Sequence, residues 1–161
     1  MRYPSTPDAD AIGGHECSGR LAPSPSGPAV TVYCVDDQAF FRETMRTVIA
    51  RTSGFIQIGE AACGEDAISA VATLRPDLVL MDVHLPGMSG FEATAALLHN
   101  DPNLRVVVMS ADVIEPPAGF APPAGAVVFV SKGELCPGRL IELWHALADA
   151  PSAITSACQP A

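Results

Sequence analysis

Between residues 29 and 149 the chain alternates between two hydrophobic periods. The run VTVYCV (30–35) is short, apolar and rich in β-formers, and it ends at Asp36-Asp37. Phe41, Met45, Val48 and Ile49 then recur at helical spacing, with Gly54 placed to stop that helix. FIQIGEA (55–61) alternates in part and predicts an edge strand. GEDAISAVATLR predicts a helix with Ile68, Val71 and Ala72 on one face, stopping before Pro76. DLVLMD is a further strand, and Phe91, Ala95 and Leu98 mark the next helix. LRVVVMS and AVVFVSK are strands ending at Ser110 and Lys132, and Leu140, Leu143, Trp144 and Leu147 give a last amphipathic helix with Pro137 near its start.

Strand–helix alternation with near-continuous apolar strands predicts an α/β domain whose parallel sheet is covered on both faces. Ligand sites in such sheets form beyond the carboxyl ends of the strands, where strand order reverses. The segments outside this pattern, 1–28 and 150–161, are rich in Pro, Ser, Ala and Gly and poor in large apolar residues. They bury too little surface to offset the entropy of ordering, and tails are expected there.

Composition narrows the function classes. A formal charge of −9 is the wrong sign for a nucleic-acid surface or an anionic membrane. No apolar stretch reaches the ~20 residues of a membrane span, and the N-terminus lacks a signal-peptide core. Cysteines 17, 34, 63, 136 and 158 are scattered without a C-x-x-C pair, which fits a reducing, cytoplasmic setting. Histidines 15, 84, 99 and 145 make no ligand spacing with them, so no zinc site is expected.

The candidate chemistry lies at the strand ends. LVLMD stops on a carboxylate, Asp82, and the chain breaks at Pro86, Gly87 and Gly90. Asp36-Asp37, Asp82, Ser110 and Lys132 each end a different strand, and a parallel sheet brings those ends to one edge. Clustered carboxylates repel by about 4 kcal/mol per pair at ~4 Å and an effective dielectric near 20. A hard divalent cation such as Mg²⁺ removes that cost and works beside phosphates. Lys132, the only lysine in the chain, adds a compact positive charge, and Ser110 a hydroxyl donor. A carboxylate nucleophile, a metal, a lysine and a hydroxyl are the parts needed to accept a phosphoryl group. The bland alternative, that each polar residue only begins a surface loop, suits any one of them but not all together.

In VDDQAFFR, PDLVLMDVHLPGMSG, VVVMSA and GAVVFVSK, in that order and spacing, the chain resembles the receiver domains of two-component response regulators over roughly residues 29–149. The resemblance implies a doubly wound, flavodoxin-like parallel sheet of strand order 2-1-3-4-5. It implies Asp82 as phosphoacceptor, and Asp36, Asp37, Asp82 and the His84 main-chain carbonyl as ligands of Mg²⁺. Ser110 becomes the hydroxyl switch residue, Lys132 the phosphate-binding lysine and Phe129 the aromatic whose position follows the switch. A histidine kinase or phosphotransfer protein would donate the phosphoryl group, the domain's own site would catalyse transfer and later hydrolysis, and a protein target would receive the signal.

Two departures bear on output. Between Ser110 and Lys132, where receivers place their fourth helix, stand Pro116, Pro117, Gly119, Pro122 and Pro123. Each interior proline costs a helix about 3 kcal/mol, so that helix is expected to be missing or irregular. The chain also ends soon after the last helix, so a single receiver without a DNA-binding output domain is expected. His84 and Asp112 are expected to flank the phosphoryl position, with solvated loop side chains as the alternative. GMSG fails the Gly-x-Ser-x-Gly spacing of a hydrolase elbow because Phe91 stands where the last glycine belongs. DDQAFF is neither a phosphate-cradling loop of a flavodoxin-like cofactor binder nor the Asp-x-Asp of a dehalogenase-like phosphatase. The competing function is a protein-interaction module that keeps the fold without using phosphorylation.

Overall fold

A computed structural model describes residues 27–123 and 126–148. The tails expected over 1–28 and 150–161 therefore lie outside the described residues, apart from Gly27 and Pro28. The elements run β1 (Val30–Val35), α1 (Ala39–Ala50), β2 (Phe55–Ala61), α2 (Gly64–Leu74), β3 (Leu78–Asp82), α3 (Gly90–Asn100), β4 (Arg105–Ser110), β5 (Val127–Ser131) and α4 (Pro137–Ala148). Five parallel strands form one sheet in the order β2-β1-β3-β4-β5. The alternation predicted the parallel sheet, and the resemblance its doubly wound, flavodoxin-like order, with β2 at an edge.

The alternating residues of the central strands feed two cores. Tyr33, Val35, Val79, Met81, Val106 and Val108 pack on one face against α2 and α3 residues such as Ala67, Val71, Ala93 and Leu97. Val32, Cys34, Leu78, Leu80, Val107 and Met109 pack on the other against Met45 and Ile49 of α1 and Leu140, Leu143 and Leu147 of α4. Because both faces are covered, β3 is buried along its whole length. Each fully buried Leu or Val contributes about 1.5–3 kcal/mol, so this strand is firmly fixed and its carboxyl end is a rigid mount.

Two helical faces turn differently from the sequence expectation. In α2, Ala67 and Val71 are buried while Ala72 is exposed, and in α3, Thr94 is buried while Ala95 is exposed. Alanine carries little apolar weight, and the larger neighbours set the rotation of each helix.

No helix lies between β4 and β5 among the described residues. Turns closed by the Phe120 N–H donating to the Pro117 carbonyl and the Ala126 N–H donating to the Pro123 carbonyl break the path instead. Gly119 there adopts a left-handed φ of 86°. The prolines remove the donors and impose the clashes that exclude the helix.

Candidate functional site

Strand order reverses between β1 and β3, so their carboxyl ends open on the crevice where α/β sheets bind ligands. Asp36 follows β1 and Asp82 ends β3, and both are buried. Asp37 is exposed beside them. One carboxylate oxygen from each of Asp36, Asp37 and Asp82 lies within 4.8 Å of the others. Lys132, the first residue after β5, extends across β4 to this cluster. Its Nζ is 2.6 Å from Asp36 Oδ2 and 3.0 Å from Asp82 Oδ2, with only 10% of the side chain exposed. The Phe41 ring of α1 backs the ammonium, with its centroid 4.6 Å away. That adds a cation–π contact to a charge already held by two carboxylates.

The titration shifts follow from this crowding. Burial pushes the Asp82 carboxyl up, the hydrogen bond from Lys132 pulls it back, and the charge of Asp36 adds to the rise, so its pKa ends above the usual range. Burial works against the Lys132 ammonium, but the carboxylates of Asp36 and Asp82 outweigh it, and its pKa is raised. Lys132 therefore stays charged, and ionised Asp82 is an unusually basic carboxylate.

The site can hold a divalent cation. Three negative charges (Asp36, Asp37 and Asp82) face one positive charge (Lys132), which leaves two negative charges uncompensated. Asp82 Oδ1 is buried without a hydrogen bond of good geometry. Oxygen donors of this kind, partly buried and partly open to water, suit a hard cation that keeps several waters.

Local sequence explains why each group sits where it does. Asp36 Oδ1 accepts from the Gln38 N–H at 2.9 Å, an Asx-turn that hands the chain from β1 to α1. The Val83 N–H donates to the Met109 carbonyl at 2.9 Å, and the Gly90 N–H to the Val83 carbonyl at 2.9 Å, which ties the loop after Asp82 to β4 and α3. Ser89, in the GMSG stretch, is the N-cap of α3. Its hydroxyl accepts from the Glu92 N–H, and Glu92 accepts from the Ser89 N–H, a reciprocal capping box. The Ser89 N–H and, at 2.8 Å, the Ser89 hydroxyl both donate to the Glu92 carboxylate and hold it below its usual pKa.

The sheet brings most of the sequence-derived set together. Asp36, Asp37, Asp82 and Lys132 converge directly. Ser110 is buried at the end of β4, one step beyond Met109, the register partner of Asp82. Its Oγ accepts from the Asp112 N–H at 3.1 Å. The His84 and Asp112 side chains are both exposed on the flanking loops. Phe129 lies further out, 39% exposed on β5. Its ring joins Phe91 and Phe120 in a cluster with centroids 5.1–6.4 Å apart. Sequence reasoning assigned nothing to Arg42, whose Nη1 donates to the Asp36 carbonyl at 2.7 Å, and it gave Phe41 only a helical-core place. Both fall in VDDQAFFR, and a polar residue on the first turn of α1 was the available signal.

Comparison with known proteins agrees with this geometry. Residues 32–143 match the family model described as the response regulator receiver domain. The response regulator GacA of Pseudomonas aeruginosa is 38% identical over 104 residues, 65% of this chain and 49% of that protein. UvrY of Escherichia coli is 33% identical over the same length, 48% of its own. The chain thus spans about half the length of these curated relatives. The chemotaxis protein CheY of Thermotoga maritima is 35% identical over 111 residues, 69% of this chain and 91% of that one. Among solved structures, a LuxR-family two-component response regulator from Aurantimonas sp. aligns with a TM-score of 0.62 and 26% identity, over 77% of this chain and 89% of the other.

Proposed function

The chain belongs to the response regulator receiver domain family, and on that premise we propose that Asp82 accepts a phosphoryl group from a histidine kinase or phosphotransfer protein. The observation that carries this proposal is the convergence of Asp36, Asp37, Asp82 and Lys132 at the point where strand order reverses.

An Asp82 carboxylate oxygen attacks phosphorus, the bond from phosphorus to the donor's leaving group breaks, and a mixed carboxylic–phosphoric anhydride forms. Asp36, Asp37, Asp82 and the His84 carbonyl would hold Mg²⁺, which when bound neutralises charge on the carboxylates and the phosphoryl oxygens. Lys132 moves from pairing with Asp82 to pairing with the new phosphoryl oxygens, and the Ser110 hydroxyl donates to another of them. Phosphorylation adds roughly −1.5 to −2 charge at this edge, enough to draw both groups inward. Volume released as Ser110 moves admits the Phe129 ring, whose two positions differ in packing because it has no hydroxyl. Water attacking the anhydride later restores Asp82.

On this reading residues 29–149 form the receiver unit and a protein target reads the Phe129 side of the sheet. The chain works in the cytoplasm, where thiols such as Cys34 and Cys63 stay reduced. Intact mass after incubation with Mg²⁺ and a small-molecule phosphodonor tests the proposal. A single base-labile phosphoryl adduct is expected, absent in Asp82→Asn and on chelation. A folded protein that takes no adduct, from this donor or from a phosphotransfer partner, would favour the phosphorylation-independent interaction module instead.

A further inference from the structure

Asp36 is held at every polar atom. Its N–H donates to the Ala61 carbonyl at 3.1 Å, its Oδ1 accepts from Gln38, and its Oδ2 faces Lys132. Its carbonyl accepts from Arg42 Nη1 at 2.7 Å. Among the described residues Asp37 has no comparable tether. What aims it is the peptide plane it shares with Asp36, because a planar peptide ties the Asp37 nitrogen to the direction of the Asp36 carbonyl.

From this we infer that Arg42 is a positioning residue for the metal-binding acidic pair, holding the Asp36–Asp37 peptide through the Asp36 carbonyl. The inference rests on the proposed receiver chemistry and adds a residue to it. Arg42 is itself pre-set: its Nε donates to Glu60 Oε1 on β2 at 3.1 Å, and only 17% of its side chain is exposed. Glu60 is in turn fixed by Arg46, at 2.9 Å to Oε2 and 2.6 Å to Oε1, and by Gln57 Nε2 at 3.2 Å. Glu60 shares its single negative charge between Arg42 and Arg46, and a positive charge beside the acidic pair would by itself weaken cation binding, so what Arg42 contributes to metal affinity is geometric. Gln38, the N-cap of α1, has no side-chain cap bond, and the first turn of that helix holds no acidic residue. The guanidinium fastens the turn ahead of α1 from its C-terminal side by donating to the Asp36 carbonyl.

The test uses the full chain and Mg²⁺ itself, followed by titration calorimetry rather than phosphorylation. Arg42→Met removes the donors and keeps the packing of the stem, while Arg46 still pairs Glu60, so the fold should survive. Mg²⁺ affinity should fall by roughly 10-fold or more, as for other groups that orient metal ligands. Arg42→Lys, which restores one donor, should recover part of it. Arg46→Ala strips the same Glu60 without touching Asp36 and should leave affinity within about twofold, well short of that range. Wild-type affinity in a folded Arg42→Met protein, or an equal loss in Arg46→Ala, overturns the inference and leaves the phosphorylation proposal standing. A wild-type chain that binds no Mg²⁺ removes both. If Arg42→Met does not fold, a folded Arg42→Lys variant that binds Mg²⁺ no more weakly than Arg46→Ala also overturns it.

Discussion

Lys132 and Asp82 form a buried ion pair, Nζ to Oδ2 at 3.0 Å, with only 10% and 2% of the two side chains exposed. Because Asp36 shares the same ammonium at 2.6 Å, one cation separates two buried carboxylates. Replacing it leaves like charges facing each other without water to screen them. Lys132→Met should therefore cost about 3–5 kcal/mol in urea unfolding without divalent cations. Added Mg²⁺ should return part of that loss, because it binds the folded state and fills the same charge deficit. Asp82→Asn removes the carboxylate whose ionised form is disfavoured by burial and by Asp36, so that variant should be at least as stable as wild type under the same conditions.

Gly90 begins α3 directly against the end of β3. A Cβ there would collide with the Asp82 carbonyl oxygen, which is main chain and cannot swing aside. Gly90→Ala should cost about 3 kcal/mol and displace Asp82, lowering phosphoryl uptake along with the unfolding midpoint. Gly138, in the first turn of α4, has nothing within 4 Å of a Cβ. Gly138→Ala should raise stability by about 0.5 kcal/mol and leave uptake unchanged.

Cys34 lies fully buried in β1, and burial, followed by the charges of Asp36 and Glu60, pushes its thiol up to about 12. The ordinary value is 9.0, so as pH rises above 9 the unfolded chain releases this proton while the folded chain keeps it. Stability contributed by the neutral thiol is full below pH 9 and is lost as pH climbs toward 12. Cys34→Ala should flatten the alkaline limb of the stability profile. In the folded protein at pH 8, iodoacetamide should label the half-buried Cys63 far faster than Cys34, read by peptide mass.

Phe120 ties the proline-rich segment to the body of the domain, 5.1 Å from the Phe91 ring in an edge-to-face contact and 6.4 Å from Phe129. Around it Val113 is 88% exposed and the chain makes few main-chain bonds. Phe120→Ala should lower stability by about 2 kcal/mol and speed amide exchange across 113–121 while leaving β3 protected.

Much of this architecture is legible in the residues themselves. The strands stand out because a parallel sheet covered on both faces needs near-continuous apolar runs. Asp36, Asp82, Ser110 and Lys132 stand out because each breaks such a run at the same end. The missing helix is written in Pro116, Pro117, Pro122 and Pro123, since proline geometry acts locally. Contacts set by three-dimensional approach leave no such trace. The Arg42 bond to the Asp36 carbonyl depends on how α1 returns over β1. The Phe120 cluster depends on where an irregular segment lands. The faces of α2 and α3 were misjudged at Ala72 and Ala95 because alanine is nearly indifferent to burial. Ser89 lies in GMSG, whose spacing already rules out a hydrolase elbow, and Glu92 three residues on marks it as a helix cap.

The central claim is that Asp82, among three neighbouring carboxylates, receives the phosphoryl group. Borohydride reduces an acyl phosphate to an alcohol, so trapping followed by peptide mass mapping locates the anhydride by residue. Treated with phosphodonor and Mg²⁺, the wild-type chain should carry the reduced side chain at position 82 and nowhere else, and none after chelation. Reduction at Asp36 or Asp37 with position 82 untouched, or an unchanged yield without the metal, would contradict the account.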